Sequence, residues 1–195
     1  MRNRLMITLD TWLEEAQTLL ADTRALQLDA RMNAAIAATV TALTAGRPLL
    51  VCGNGGSAAD AMHIVGEMVG RFLKERRALK AICLSDNPAV LTAWANDYSY
   101  ATIFSRQVEA YGEAGGVLLG LSTSGNSENV VLALQAARAM GMVTIGMTGQ
   151  GGGKMATLCD HLLAVPSRFT PAIQQIHLNF YHCYCAAVEE AMFHA

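Results

Sequence analysis

Apolar residues recur at helical intervals twice near the start of the chain, at Leu9, Trp12, Leu13, Ala16, Leu19 and Leu20 and again at Met32, Ile36, Val40 and Leu43. Steps of three and four place each set on one face of a helix. The pattern therefore predicts an N-terminal pair of amphipathic helices within residues 1–46, the second stopped at Ala45-Gly46-Arg47-Pro48. The rhythm then changes. Runs at 49–53, 81–84, 117–121, 143–147 and 161–165 are apolar at successive rather than alternate positions, which suits strands covered on both faces of a parallel sheet. The stretches 57–72 and 126–140 between them have helical length and composition, and Thr170-Pro171 supplies a capping residue and a proline for a last helix reaching about Ala191. Strands alternating with helices in this way predict an α/β fold, a three-layer αβα sandwich around a five-stranded parallel sheet. Five strands are too few for an eight-stranded barrel, and 195 residues fit one domain, 1–195.

Composition adds an expectation about assembly. Hydrophobic residues make up 52% and charged residues 15% of the chain, against about 25% charged in an average soluble protein, so some helix faces are expected to be covered by other subunits. The net charge of −2, with Lys and Arg scattered, leaves no electrostatic footprint for nucleic acid. Arg2, Arg4, Asp10, Glu14 and Glu15 interrupt the first twenty residues, unlike the core of a signal peptide, and no run approaches the ~18 apolar residues of a membrane span. The odd set Cys52, Cys83, Cys159, Cys183 and Cys185 contains no C-x-x-C pair. Reduced, mostly buried thiols in a cytoplasmic protein with no membrane partner are expected.

Two loops carry candidate chemistry. Gly53-Asn54-Gly55-Gly56-Ser57-Ala58-Ala59-Asp60 joins the first strand to a helix, where glycines let the backbone approach an anion and a helix N-terminus offers free N–H groups. A tight turn without a ligand uses the same residues. The third strand ends in Leu121-Ser122-Thr123-Ser124-Gly125-Asn126-Ser127. Four hydroxyls around one glycine exceed what a helix cap requires, and hydroxyls with backbone N–H groups suit a phosphate dianion. Neither loop is a nucleotide P-loop or a G-x-G-x-x-G dinucleotide motif.

His63 and Glu67 stand four residues apart in the first of these helices, so they share a face and can reach one divalent ion such as zinc. A hydrogen bond across a helix surface has the same spacing, and the pair alone does not decide between the two. The last helix carries Gln174, His177 and His182 in an apolar setting. A lone histidine there is an ordinary core residue, but several buried polar groups need partners.

Taken together, Gly53-Asn54-Gly55-Gly56-Ser57, Asp60-Ala61-Met62-His63, Glu67, Asn96-Asp97-Tyr98, Ser122-Thr123-Ser124-Gly125-Asn126-Ser127 and Ile173-Gln174-Gln175-Ile176-His177 resemble the sugar-isomerase (SIS) domain family over nearly the whole chain. The resemblance implies a flavodoxin-like sheet, with the N-terminal helices serving oligomer packing. It also implies aldose–ketose isomerisation of sedoheptulose 7-phosphate. One zinc per subunit would be held by His63, Glu67, Gln174 and His182, and Glu67 and His182 would move protons. Substrate contacts are implied for Asn54, Gly55, Gly56, Ser57, Glu67, Asn96, Asp97, Ser122, Thr123, Ser124, Ser127 and Gln174, in a homotetramer with active sites at subunit interfaces.

A class of the same family binds the replication initiator protein, or a sugar phosphate, without catalysis. It lacks the carboxylate matching Glu67 and the histidine matching His182 and has Arg in place of Ser124, and this chain carries the isomerase-type residue at all three positions. Pro171 departs from relatives that have a charged residue there. Gln174 and His182 lie eight residues apart, about 12 Å along a helix, and Gln174 would have to point against the usual lean of helical side chains. At least one ligand of each metal is therefore expected from a neighbouring subunit.

Overall fold

The two periodic opening segments become α1 (Leu9–Ala25) and α2 (Asp29–Thr44) in the computed structural model, which describes residues 7–194. Arg2 and Arg4 lie outside the described residues. Thr8 and Thr11 exchange side-chain and backbone hydrogen bonds at the start of α1, satisfying free N–H groups that a helix start otherwise leaves open. The chain continues through β1 (Leu49–Gly53), α3 (Gly56–Val69), β2 (Ala81–Cys83), α4 (Pro88–Asp97), a 3₁₀ turn (Tyr100–Thr102), α5 (Ile103–Tyr111), β3 (Val117–Ser122), α6 (Glu128–Ala139), β4 (Val143–Thr148), a second 3₁₀ turn (Gly153–Thr157), β5 (His161–Ala164) and α7 (Thr170–Met192).

All strand pairs are parallel and the order across the sheet is β2-β1-β3-β4-β5. The winding reverses direction between β1 and β3. In such sheets the carboxyl ends of those two strands flank the crevice where ligands bind, and here they carry the glycine and serine loops.

The continuous apolar runs resolve into two cores because successive strand residues point to opposite faces. Leu49, Val51, Val117 and Leu119 face a core shared with Ile36 of α2, Ile64 of α3 and Val188 of α7. Leu50, Cys52 and Leu118 face Phe104 of α5 and Leu134 of α6. Burial on both faces holds for β1 and β3, whereas the edge strands β2 and β5 are only half-buried. A buried polar latch ties the N-terminal pair to the last helix. Tyr184 O–H donates to Thr39 Oγ1 at 2.6 Å, and Thr39 in turn donates to the Ala35 carbonyl at 3.0 Å, so both hydroxyls are satisfied. Leu9, Leu13 and Leu20 of α1 remain exposed.

Some boundaries differ from the sequence reading. The helix expected to reach residue 72 ends at Val69, because Glu189 on α7 takes the backbone N–H groups of Phe72, Leu73 and Lys74. Thr170 is the first residue of α7 rather than its cap, Phe169 occupying that position with no side-chain bond. Of the cysteines, Cys52, Cys83 and Cys185 are buried, Cys159 is half-buried, Cys183 is exposed, and all are free thiols. No helix among the described residues is long and apolar enough to cross a membrane.

Candidate active site

The hydroxyl loop after β3 is held open by its own backbone. Gly125 N–H donates to the Ser122 carbonyl at 2.9 Å and Met155 N–H to the Gly125 carbonyl at 3.0 Å. Gly125 has φ +65°, and a Cβ there would lie 2.0 Å from the Gly152 carbonyl oxygen, so no other residue fits. Ser127 precedes α6 but makes no capping bond; its Oγ lies 2.9 Å from Ser122 Oγ, with Ser124 Oγ at 3.4 Å from the same atom. The hydroxyls thus face one another across the loop instead of serving the helix, as expected of an anion cradle at a helix N-terminus. Thr123 Oγ1 stands 3.5 Å from Thr170 Oγ1, which brings the start of α7 to the same rim.

Across the crevice, Asn54 is fixed by residues that sequence reasoning missed. Its Oδ1 accepts from Asn129 Nδ2 and from Tyr100 O–H, and its Nδ2 donates to Asn129 Oδ1, each at 2.8 Å. Of the two hydrogens on Asn54 Nδ2, one goes to Asn129 and the other is left free to donate. Nothing in the pattern of Tyr100 or Asn129 marks them, since their role arises only when the ends of β1 and β3 become neighbours. Gly55 and Gly56 are exposed at the loop tip, and Ser57 is buried in the first turn of α3. A Cβ on Gly56 would lie 2.4 Å from Gln174 Nε2, so Gln174 sits directly on the glycine loop. Asn96 Nδ2 donates to Asp97 Oδ1 at 2.9 Å, and both side chains are exposed at the end of α4, where no other side-chain hydrogen bond ties them to the loops among the described residues.

Farther along α3, His63 Nε2 lies 3.0 Å from Glu67 Oε1, with the His63 side chain 43% and that of Glu67 20% exposed. α7 runs alongside in the same direction, so Gln174 is level with Gly56 and His182 with His63, their rings 5.2 Å apart. Phe72 stacks on the other side of His182 at 5.6 Å. His63 Nδ1 is 3.0 Å from the Tyr181 hydroxyl, which lies 3.4 Å from Asp60 Oδ1. Burial pushes the Asp60 carboxyl above its ordinary range, opposed by the Tyr181 hydrogen bond and by His63.

The structure therefore pairs His63 with Glu67 and sets the His182 ring beside His63, with Gln174 about two helical turns from His182 along α7. Among the described residues, no three His, Cys, Asp or Glu side chains of one chain close on a common point. His177, five residues before His182, points elsewhere. It is fully buried with Nε2 3.1 Å from the Thr148 carbonyl, and burial lowers its pKa to about 4, so it is the core histidine.

Residues 11–149 match the SIS domain family. The phosphoheptose isomerase of Crocosphaera subtropica is 54% identical over 149 residues, 76% of each chain. That of Clostridium acetobutylicum is 42% identical over 193 residues, 99% of this chain and 97% of its own. The solved structure of phosphoheptose isomerase GmhA from Neisseria gonorrhoeae matches with a TM-score of 0.87 at 38% identity, covering 93% of this chain and 96% of that one.

Proposed function

The chain belongs to the SIS domain family, and from that premise we propose that it is an aldose–ketose isomerase converting sedoheptulose 7-phosphate to D-glycero-D-manno-heptose 7-phosphate. Its product would feed the heptose of bacterial lipopolysaccharide or capsule. The observation that carries this reading is the combination of a cradle able to take an anion, at the carboxyl ends of β1 and β3, with a histidine–carboxylate pair able to take a cation on α3, the helix that leaves β1. The cradle is Ser122 to Ser127 with Asn54; the pair is His63 and Glu67.

Each group has a task in that chemistry. Isomerisation moves a proton between C1 and C2 through an enediol, so it needs an anchored substrate and an acid–base group at the reacting edge. Ser122, Thr123, Ser124 and Ser127, with the N-terminus of α6, hold the phosphate. The free N–H of Asn54 and the carboxylate of Asp97, beside Asn96, orient hydroxyls. Glu67 and His182 hold and move protons.

Imidazole and carboxylate donors suit zinc, and His63 and Glu67, with Gln174 and His182, at least one of these from a neighbouring subunit, would hold it. Zinc, when bound, polarises the oxygens on the two carbons that exchange the proton. Gln174 stands apart from His63 and His182 within one chain, which supports a site completed by a neighbouring subunit; a cytoplasmic homotetramer is the assembly proposed. The exposed leucines of α1 and the low charge content support the same assembly.

Incubating the protein with sedoheptulose 7-phosphate and following aldose formation tests the proposal. Conversion is expected, to be lost on treatment with a chelator and regained with added zinc. A zinc-supplemented protein that leaves the ketose unchanged would sink it.

A further inference from the structure

We propose that Asn129 and Tyr100 are positioning residues that make Asn54 a donor-only group, offering the substrate a single hydrogen and no lone pair. The inference rests on the sugar-phosphate reading given above and adds which atom of Asn54 the substrate meets and what holds it there. Asn54, Tyr100 and Asn129 border one cavity with Ser99, Ser127 and Glu128, so the amide stands beside a residue of the anion cradle.

The orientation follows from a backbone hydrogen. Val130 N–H can only donate, and the Asn129 side chain lies 3.0 Å from it, so the atom that faces it is Oδ1. Val130 N–H shares its hydrogen with the Ser127 carbonyl, also at 3.0 Å, and the assignment stands, because turning the Asn129 amide would set an NH₂ against an N–H. With its oxygen so fixed, Asn129 presents Nδ2 as a donor at 2.8 Å to Asn54, whose facing atom has to be Oδ1. Asn54 Nδ2 donates back to Asn129 Oδ1 at 2.8 Å, and neither amide of this pair can turn without bringing like atoms together. The Tyr100 hydroxyl donates to Asn54 Oδ1 at 2.8 Å and takes its second lone pair. What remains is one hydrogen on Nδ2. Asn129 is 3% exposed, which keeps water from competing for the pair, whereas Asn54 is half-buried and borders the cavity. A group that cannot accept holds an accepting oxygen of the substrate, most strongly one with negative charge. That oxygen belongs to the phosphate or to the carbonyl that gains charge as the enediol forms.

Asn129→Asp keeps the shape of the side chain and removes its donor, so two oxygens face each other whichever way the Asn54 amide turns, and the pair opens. The variant is expected to lose about 10- to 100-fold in kcat/KM, the worth of a hydrogen bond to a charged group, with circular dichroism unchanged. Tyr100→Phe frees one lone pair but leaves the amide pair in place, and a loss of only about threefold is expected. On an Asn54→Ala background both losses are expected to vanish, each double variant matching Asn54→Ala within twofold. The split of the effect assigns the oxygen, a raised KM pointing to the phosphate and a lowered kcat to the carbonyl. Losses that add to that of Asn54→Ala overturn the inference, as does an Asn129→Asp protein within twofold of wild type. Neutron diffraction from deuterium-exchanged crystals without substrate reads the orientation directly. It is expected to show Asn54 nitrogen facing Asn129 oxygen, with the second deuteron of that nitrogen unbonded to protein; the reverse orientation overturns the inference. Should Asn129→Asp fail to fold, Tyr100→Phe and the nuclear density decide. A wild-type protein that leaves the ketose unchanged sinks the reading above, and the nuclear density still decides the orientation.

Discussion

Replacing Glu67 with Gln is expected to lower kcat on sedoheptulose 7-phosphate by about 10²- to 10⁴-fold, the range for removing a general acid or base, with KM changed far less. The substitution adds no bulk and leaves the backbone undisturbed, since Glu67 is anchored through its carbonyl, which accepts from Arg76 Nη2 at 2.6 Å. Its carboxylate is only partly exposed and lies against His63. Assays at saturating zinc separate lost proton transfer from lost metal. His182→Ala is expected to show a fall of similar size if it moves protons as proposed, its ring being packed against Phe72 and His63 and so kept in a fixed orientation. A kcat within threefold of wild type in both variants would remove them from the chemistry.

The second large effect lies beneath the site. Glu189 and Arg76 are an ion pair with side chains 2% and 1% exposed, joined at 2.9 Å. Glu189 also accepts from the N–H groups of Phe72, Leu73 and Lys74, while Arg76 donates to the carbonyls of Glu67, Met68 and Gly70. This clamp closes the segment after α3 and delivers Phe72 to His182. Glu189→Gln leaves a buried guanidinium without its counter-charge and is expected to destabilise the fold by about 3–5 kcal/mol, lowering the melting temperature by on the order of 10 °C.

The pH dependence has a definite sign. Burial alone would raise the Glu189 carboxyl, but three amide hydrogens and the guanidinium outweigh it and hold it below its usual value. A depressed carboxyl contributes stability in full above its unfolded pKa of about 4.3 and loses it as pH falls through the folded value. The gap between wild type and Glu189→Gln in chemical denaturation should therefore be constant at neutral pH and shrink below about pH 4. A gap under 1 kcal/mol at pH 7 would contradict the clamp.

Strands β1 and β3 were legible in sequence because burial on both faces leaves an unbroken apolar run, and α1 and α2 because one face is apolar. Helix α4 was not, since it has no fully buried residue and hence no stripe to read. The hydroxyl loop was readable as more than a cap, and the structure turns Ser127 to Ser122 rather than to the helix. His63 and Glu67 followed from a spacing of four, and their partner His182 was placed by family resemblance rather than by pattern. Tyr100, Asn129 and Tyr181 could not be found in the same way, because each acts on a residue brought near only by the tertiary fold. Spacing did separate Gln174 from His182, and α7 is one continuous helix across both.

The most direct test is anomalous scattering at the zinc edge from crystals of the zinc-loaded protein. One peak per subunit is expected, bonded at about 2.0–2.2 Å to His63 Nε2 and Glu67. A zinc-loaded crystal with no peak there, His63 and Glu67 still joined by a direct hydrogen bond, would contradict the account.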